Sequence, residues 1–244
     1  MLSWENNNNK IILYHGTTNP DIIPEYGKGK SLNDYGKGFY TTTNEELAKE
    51  WAMNKFVGDN VLNRYYATLE LTYTGLKVLN LDDHEPVHWI ATLIKYRGIN
   101  TNPLKSDLIN RSDLTSRKIH DFVSKFAINT EDFDCIKGYR ADDGYYNYIR
   151  SFLDDILTVD EIAHIMRTGE SGEQVCIKSR KAFSNIKNIG CSKVPLNYSL
   201  LYDRRLNKAN KEVNNVIKLK KNKLYSNEPQ AVEGTFSYYV NLTD

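Results

Sequence analysis

The sequence predicts an α+β fold, and two observations predict it. Short β-branched or aromatic runs, closed by glycine or polar turns, recur along the chain, as half-buried strands do. Between them lie longer stretches whose apolar residues return every three or four positions, the signature of amphipathic helices. A chain of 244 residues is long enough to bury a sizeable core, so one core followed by a tail is expected.

In chain order, Lys10 to Thr18 is an apolar run through Ile11, Ile12 and Leu13 that reads as a buried strand with His15 at its carboxyl end. Asn19 to Lys30 holds Pro20, Pro24, Gly27 and Gly29 and reads as a loop with at most one short turn of helix. Asp34 to Ala52 organises the chain as turn, strand and helix. Gly36 and Gly38 loosen the turn, Phe39 to Thr43 favour a strand, and Asn44 is an N-cap with Leu47, Ala48 and Trp51 at helical spacing behind it. Glu45 and Glu46 suit the positive end of that helix. Tyr40 on the strand and Trp51 on the helix can therefore converge on one cleft.

Arg64 to Tyr73 reads as a strand, Glu85 to Tyr96 and Ser106 to Ala127 as helices linked through Pro103, and Phe133 to Tyr139 as a strand. Tyr145 to Ile156 and Val159 to Met166 read as helices. Gln174 to Lys178 is a further strand with Gly172 and Glu173 at its mouth, and Ser179 to Ile186 a short helix. From Asp203 to Lys223 the chain turns strongly basic and reads as a polar helix and exposed tail. Phe236 to Val240 reads as a late edge strand or a disordered segment.

Composition narrows the function classes. With 32 basic and 31 acidic residues the formal net charge is +1, so no global field steers the protein to nucleic acid or a membrane. Cys135, Cys176 and Cys191 are widely spaced and form no CxxC pair, which argues against a disulfide framework or zinc site and fits a reducing compartment. No apolar run has signal-peptide or membrane-span length, so a cytoplasmic protein without a membrane partner is expected.

Singly, the candidate site residues have ordinary explanations: His15 as a structural histidine, Tyr40 and Trp51 as core rings, Glu173 as a solvated loop carboxylate. Their combination and order carry the signal. Tyr14-His15-Gly16-Thr17, Gly36-Lys37-Gly38-Phe39-Tyr40 and Glu173-Gln174-Val175-Cys176-Ile177 resemble the three strand segments that hold His, Tyr and Glu in ADP-ribosyltransferases of the diphtheria-toxin and poly(ADP-ribose)-polymerase class. Asn33 to Tyr40, Gly138 to Asp143 and Gly172-Glu173-Gln174 resemble more closely an uncharacterised bacterial branch of that superfamily.

That resemblance, running from about Ile11 to about Ile186, implies a split, mostly antiparallel β core with helices between strands. It implies a catalytic domain over residues 1–190 and a basic extension over 191–244. It also implies NAD as co-substrate, no metal, and transfer of ADP-ribose to a macromolecular acceptor, protein or nucleic acid. His15 would bond the adenine-side ribose, Gly16 the nicotinamide amide, and Tyr40 and Trp51 would sandwich the nicotinamide ring. Glu173 would stabilise the oxocarbenium-like ribose.

Gln174 is the rival for that last place, since a one-residue slip reverses a strand's face, and a glutamine there would hold the hydroxyl without carrying charge. Arg140 would pair with the diphosphate, or with Asp142 or Asp143 at the cap of the next helix. Thr17, Asn33 and Lys37 are further pocket residues. Ala48 stands where the polymerases carry a serine, and Ser171 stands where the arginine-modifying class carries a second glutamate, which disfavours arginine as acceptor. An NAD glycohydrolase and a catalytically silent NAD or ADP-ribose binder are the alternatives. The related branch is toxin-like, so an intracellular toxin or defence factor held by a small antitoxin or immunity partner would suit it.

Overall fold

In the computed structural model, residues 9–53, 63–98, 113–141, 145–168, 172–224 and 232–242 are described. Period-two burial builds the first sheet. β1 (Lys10–Thr17) buries Leu13, and β3 (Tyr65–Thr72) buries Ala67, Leu69 and Leu71 on one face. These two pair antiparallel, and β7 (Ile186–Lys193) pairs antiparallel along the other side of β3, giving the order β1-β3-β7. The ladder shifts between Thr68 and Leu69, a bulge that interrupts the register of β3 and β7.

The second sheet is formed by β2 (Phe39–Thr41), β6 (Glu173–Ile177), β5 (Cys135–Tyr139) and β4 (Val78–Asn80), side by side in that order. Every pairing in it is antiparallel except β4 with β5. One face places Val175, Ile177 and Cys135 against Leu13, Leu69 and Leu71, so the sheets share an inner core. Each of these large aliphatic side chains contributes roughly 1.5–3 kcal/mol by leaving water. The two sheets also meet where Tyr14 and Thr42 exchange backbone hydrogen bonds of 2.7 and 2.9 Å.

The other face of the second sheet, with Ile136 and Cys176, is covered by helices. These are α2 (Pro86–Arg97), α3 (Asp113–Phe126), α4 (Tyr145–Leu153) and α5 (Val159–Thr168), with a short α6 (Arg180–Ser184) before β7. The architecture is therefore mixed α+β with a three-stranded and a four-stranded sheet.

α1 (Glu45–Ala52) begins as its sequence requires, with the Asn44 side chain accepting from the Glu46 and Leu47 N–H groups at 2.9 and 3.2 Å. It lies so close on β1 that a Cβ at Gly16 would stand 2.5 Å from the Ala48 carbonyl oxygen and 2.5 Å from the Ala52 nitrogen. α7 (Tyr198–Leu224) carries the basic stretch and joins α1 through a partly buried Arg205–Glu50 ion pair at 2.6 Å.

Two expectations change here. Phe236 to Val240 is neither an edge strand nor disordered but lies in α8 (Phe236–Asn241). Phe236 packs edge-on to Phe122 and Phe152 with ring centroids 5.7 Å away in each case, and Asp155 accepts from the Ser237 N–H at 2.7 Å. Tertiary packing and a capping carboxylate outweigh the β preference of the aromatic run. β4 and β7 are additional strands, and the boundary at residue 190 falls within β7. Residues 106–112 of the expected third helix, together with Asp142, Asp143 and Ser171, lie outside the described residues. Among the described residues no helix is long and apolar enough to cross a membrane.

Candidate functional site

The site grows from the turn before β2. Gly36 has φ +78°, a conformation that β-carbon-bearing residues rarely adopt, and a Cβ there would also strike the Tyr96 ring at 2.6 Å. The turn is closed by Tyr40, whose hydroxyl donates to the Gly36 carbonyl at 2.7 Å and accepts from the Tyr35 N–H at 2.9 Å. Burial holds the Tyr40 phenol far above its usual range, so it is a fixed neutral ring and not an acid for catalysis.

Residue 35 is anchored at every polar atom. Its hydroxyl donates to the Tyr139 carbonyl at 2.6 Å, and its carbonyl accepts from Lys178 Nζ at 2.8 Å and Thr130 Oγ1 at 3.3 Å. That anchorage fixes the neighbouring Asp34, whose side chain is 3 % exposed. Asp34 Oδ2 accepts from Gln174 Nε2 at 2.5 Å and from the Ala141 N–H at 3.0 Å, and Oδ1 pairs with Arg97 Nε.

A cleft of about 640 Å³ opens beside this hub, within the range of small-molecule and cofactor sites. His15, Gly16, Tyr40, Trp51, Arg140 and Gln174 all line it. His15 Nδ1 donates to the Tyr40 carbonyl at 2.7 Å, which leaves Nε2 as the ring's second polar atom. Burial lowers the His15 pKa below its ordinary value, with that backbone bond opposing, so the ring is neutral near pH 7. The Arg140 guanidinium lies 5.1 Å over the Trp51 ring, and Lys28, Lys30 and Arg97 add further cationic side chains to the walls.

Glu173 is not among these groups. Tyr40 is paired directly with Cys176 across the β2–β6 ladder, so Tyr40, Cys176 and Gln174 share one face of the sheet. Glu173 follows Val175 and Ile177 to the opposite face, where it pairs with Lys137 Nζ at 3.0 Å. There it lines a second, smaller cleft of about 510 Å³ with Tyr14, Thr42, Asn44 and Leu47. The expectation that Glu173 faces the same space as His15 and Tyr40 is therefore corrected in favour of Gln174.

Thr17 also stands apart. Its Oγ1 accepts from the Asn19 N–H at 3.0 Å and shapes the start of the loop instead of lining the large cleft. Asn33 does line the cleft, and Lys37 does not. The sequence reading missed Asp34 and Arg97; the one available signal was that Asp34 opens the glycine-containing turn. No group of three or more His, Cys, Asp or Glu side chains among the described residues is placed to hold a metal ion.

Residues 11–188, which include both sheets up to the start of β7, match the family described as "Protein of unknown function (DUF3990)", and the chain belongs to that family. No curated protein and no solved structure matches it.

Proposed function

We propose that the large cleft binds NAD and that the protein is an NAD-dependent ADP-ribosyltransferase in which Gln174, backed by Asp34, faces the nicotinamide-side ribose. One observation carries this reading: His15, Tyr40, Trp51, Arg140 and Gln174, drawn from five separate elements or loops, meet around one cofactor-sized cleft. Tyr40 supplies a fixed apolar wall for the nicotinamide, and Arg140 with Arg97 supplies guanidinium groups for the diphosphate. The neutral His15 offers Nε2 to a ribose hydroxyl. Trp51, with Arg140 over one face, acts as the platform for that arginine.

Cleavage breaks the bond between the ribose C1′ and the nicotinamide nitrogen. The electron pair leaves with neutral nicotinamide, and positive charge develops on the ribose. An acceptor oxygen or nitrogen then bonds to C1′ and gives up its proton to solvent. The protein's part is to hold the leaving ring against Tyr40 and to place the Gln174 carbonyl oxygen near the developing charge.

A second reading follows from the same face of β6. With glutamine and not glutamate in the cleft, the protein is a binder of NAD or ADP-ribose with no turnover. NAD labelled on the adenylate, incubated with the purified protein with and without cell lysate, separates the readings. Label carried onto protein or nucleic acid, and lost in Gln174→Ala, supports the transferase. Nicotinamide release without bound label replaces it with an NAD glycohydrolase, and binding without release replaces it with the silent module.

A further inference from the structure

The buried carboxylate of Asp34 is expensive to keep out of water. Gln174 has two N–H donors, and both have acceptors: Asp34 Oδ2 at 2.5 Å and, more distantly, the Tyr139 carbonyl at 3.4 Å. Since both neighbours only accept, the amide has one orientation, and Oε1 is the group Gln174 can offer to a ligand. A charged acceptor on Nε2 also draws the N–H bond toward it and increases electron density on Oε1.

Asp34 itself cannot drift. Tyr35, its neighbour, is held by Tyr40, Tyr139, Lys178 and Thr130. Arg97 offsets the carboxylate's charge on the side away from Oδ2.

We propose that Asp34 is a positioning residue: it locks the Gln174 amide with Oε1 presented to the cleft and lends that oxygen the negative character a lone glutamine lacks. The ligand atom that Gln174 meets is accordingly a hydrogen-bond donor, a ribose hydroxyl, beside a centre that becomes positive. This inference rests on the reading of the cleft as an NAD site.

The full chain and the variants Asp34→Asn, Gln174→Leu, Asp34→Asn/Gln174→Leu and Asp34→Asn/Gln174→Glu are compared by NAD titration calorimetry and by release of labelled nicotinamide. In Asp34→Asn the side-chain oxygen still accepts from Gln174 but carries no charge. Expected is a fall in release of about tenfold in Asp34→Asn, with NAD affinity held within about threefold. The Asp34→Asn/Gln174→Glu exchange, which moves the carboxylate from position 34 to position 174, is expected to recover most of that loss. A merely structural Asp34 would lose affinity and thermal stability in step with release and would gain nothing from the exchange.

Should Asp34→Asn fail to fold, the Asp34→Asn/Gln174→Glu exchange is compared with Gln174→Leu: release well above that of Gln174→Leu supports the role, and an exchange variant as slow as Gln174→Leu overturns it. Where both fold, the Asp34→Asn/Gln174→Leu double must be no slower than Gln174→Leu. Unchanged release in Asp34→Asn, or an exchange variant as slow as Asp34→Asn, overturns the role of Asp34 and leaves the NAD site standing. No NAD binding by the unmodified chain overturns the site and this role together, and binding without release overturns the role as stated.

Discussion

The two clefts differ by one residue of β6 and by almost everything chemical. Gln174 opens on the large cleft among His15, Tyr40, Trp51 and Arg140, hydrogen-bonded to the buried Asp34 carboxylate beside it. Glu173, its neighbour, opens on the small cleft and is already matched to Lys137. A carboxylate that looks catalytic in the sequence is thus tied up in a partly buried ion pair, while an amide stands where catalysis would need charge. The alternation of a strand decides which side chains can act together, and no property of the side chains themselves reveals it.

Both clefts share α1, which gives Trp51 to the large one and Leu47, with its cap Asn44, to the small one. Gly16→Ala forces a Cβ against the α1 backbone at 2.5 Å and is expected to cost about 3 kcal/mol, read as a lowered midpoint in urea unfolding. Because α1 is displaced as a unit, both clefts are lost together. A variant with unchanged stability would mean that α1 moves off β1 at no cost.

Next in size is the effect that separates the clefts. Gln174→Ala is expected to lower nicotinamide release by about a hundredfold, whereas Glu173→Gln stays within about threefold of the unmodified protein. The reverse ranking would return Glu173 to the reacting centre and undo the distinction between the two faces.

Lys137→Met tests the small cleft from its other side. Lys137 is buried and Glu173 is partly exposed, with 26 % of its side chain accessible, so losing the pair costs about 1 kcal/mol after allowance for solvent screening. NAD affinity is expected to be unchanged, and a weakened affinity would show that the clefts are coupled.

The smallest effect is in pH. His15 has a folded-state pKa below its ordinary value of 6.5, so the unfolded chain takes up a proton first as pH falls. The stability tied to neutral His15 is complete above about pH 6.5 and declines as pH drops from there toward the folded-state pKa. The melting temperature is expected to fall as pH drops below about 6.5, and less steeply in His15→Gln. Equal slopes in the two proteins would assign the dependence to other groups.

Much of the scaffold was legible in the sequence. β1, β3, β5 and β6 announce themselves by β-branched apolar runs, and the Asn44 cap marks the start of α1. β7 did not, because Asn188 and Gly190 interrupt its apolar pattern and only Ile186 of its residues is buried. β4 is three residues long, too short for periodicity to register. Of the site, His15, Gly16, Tyr40, Trp51, Arg140 and Gln174 could be named in advance, but Asp34 could not. Its role comes from a hydrogen bond to a residue 140 positions away, and such a contact leaves no trace in local pattern.

The Tyr14–Thr42 bridge ties the two sheets between the clefts' linings, with Tyr14 and Thr42 in the small one and the neighbouring His15 and Tyr40 in the large. It works as the spine of a book whose covers are the sheets, so any widening of the cleft mouth must strain the same two amide protons. Their exchange with solvent deuterium is then a built-in gauge: a ligand that clasps the covers together slows both amides at once, without touching either.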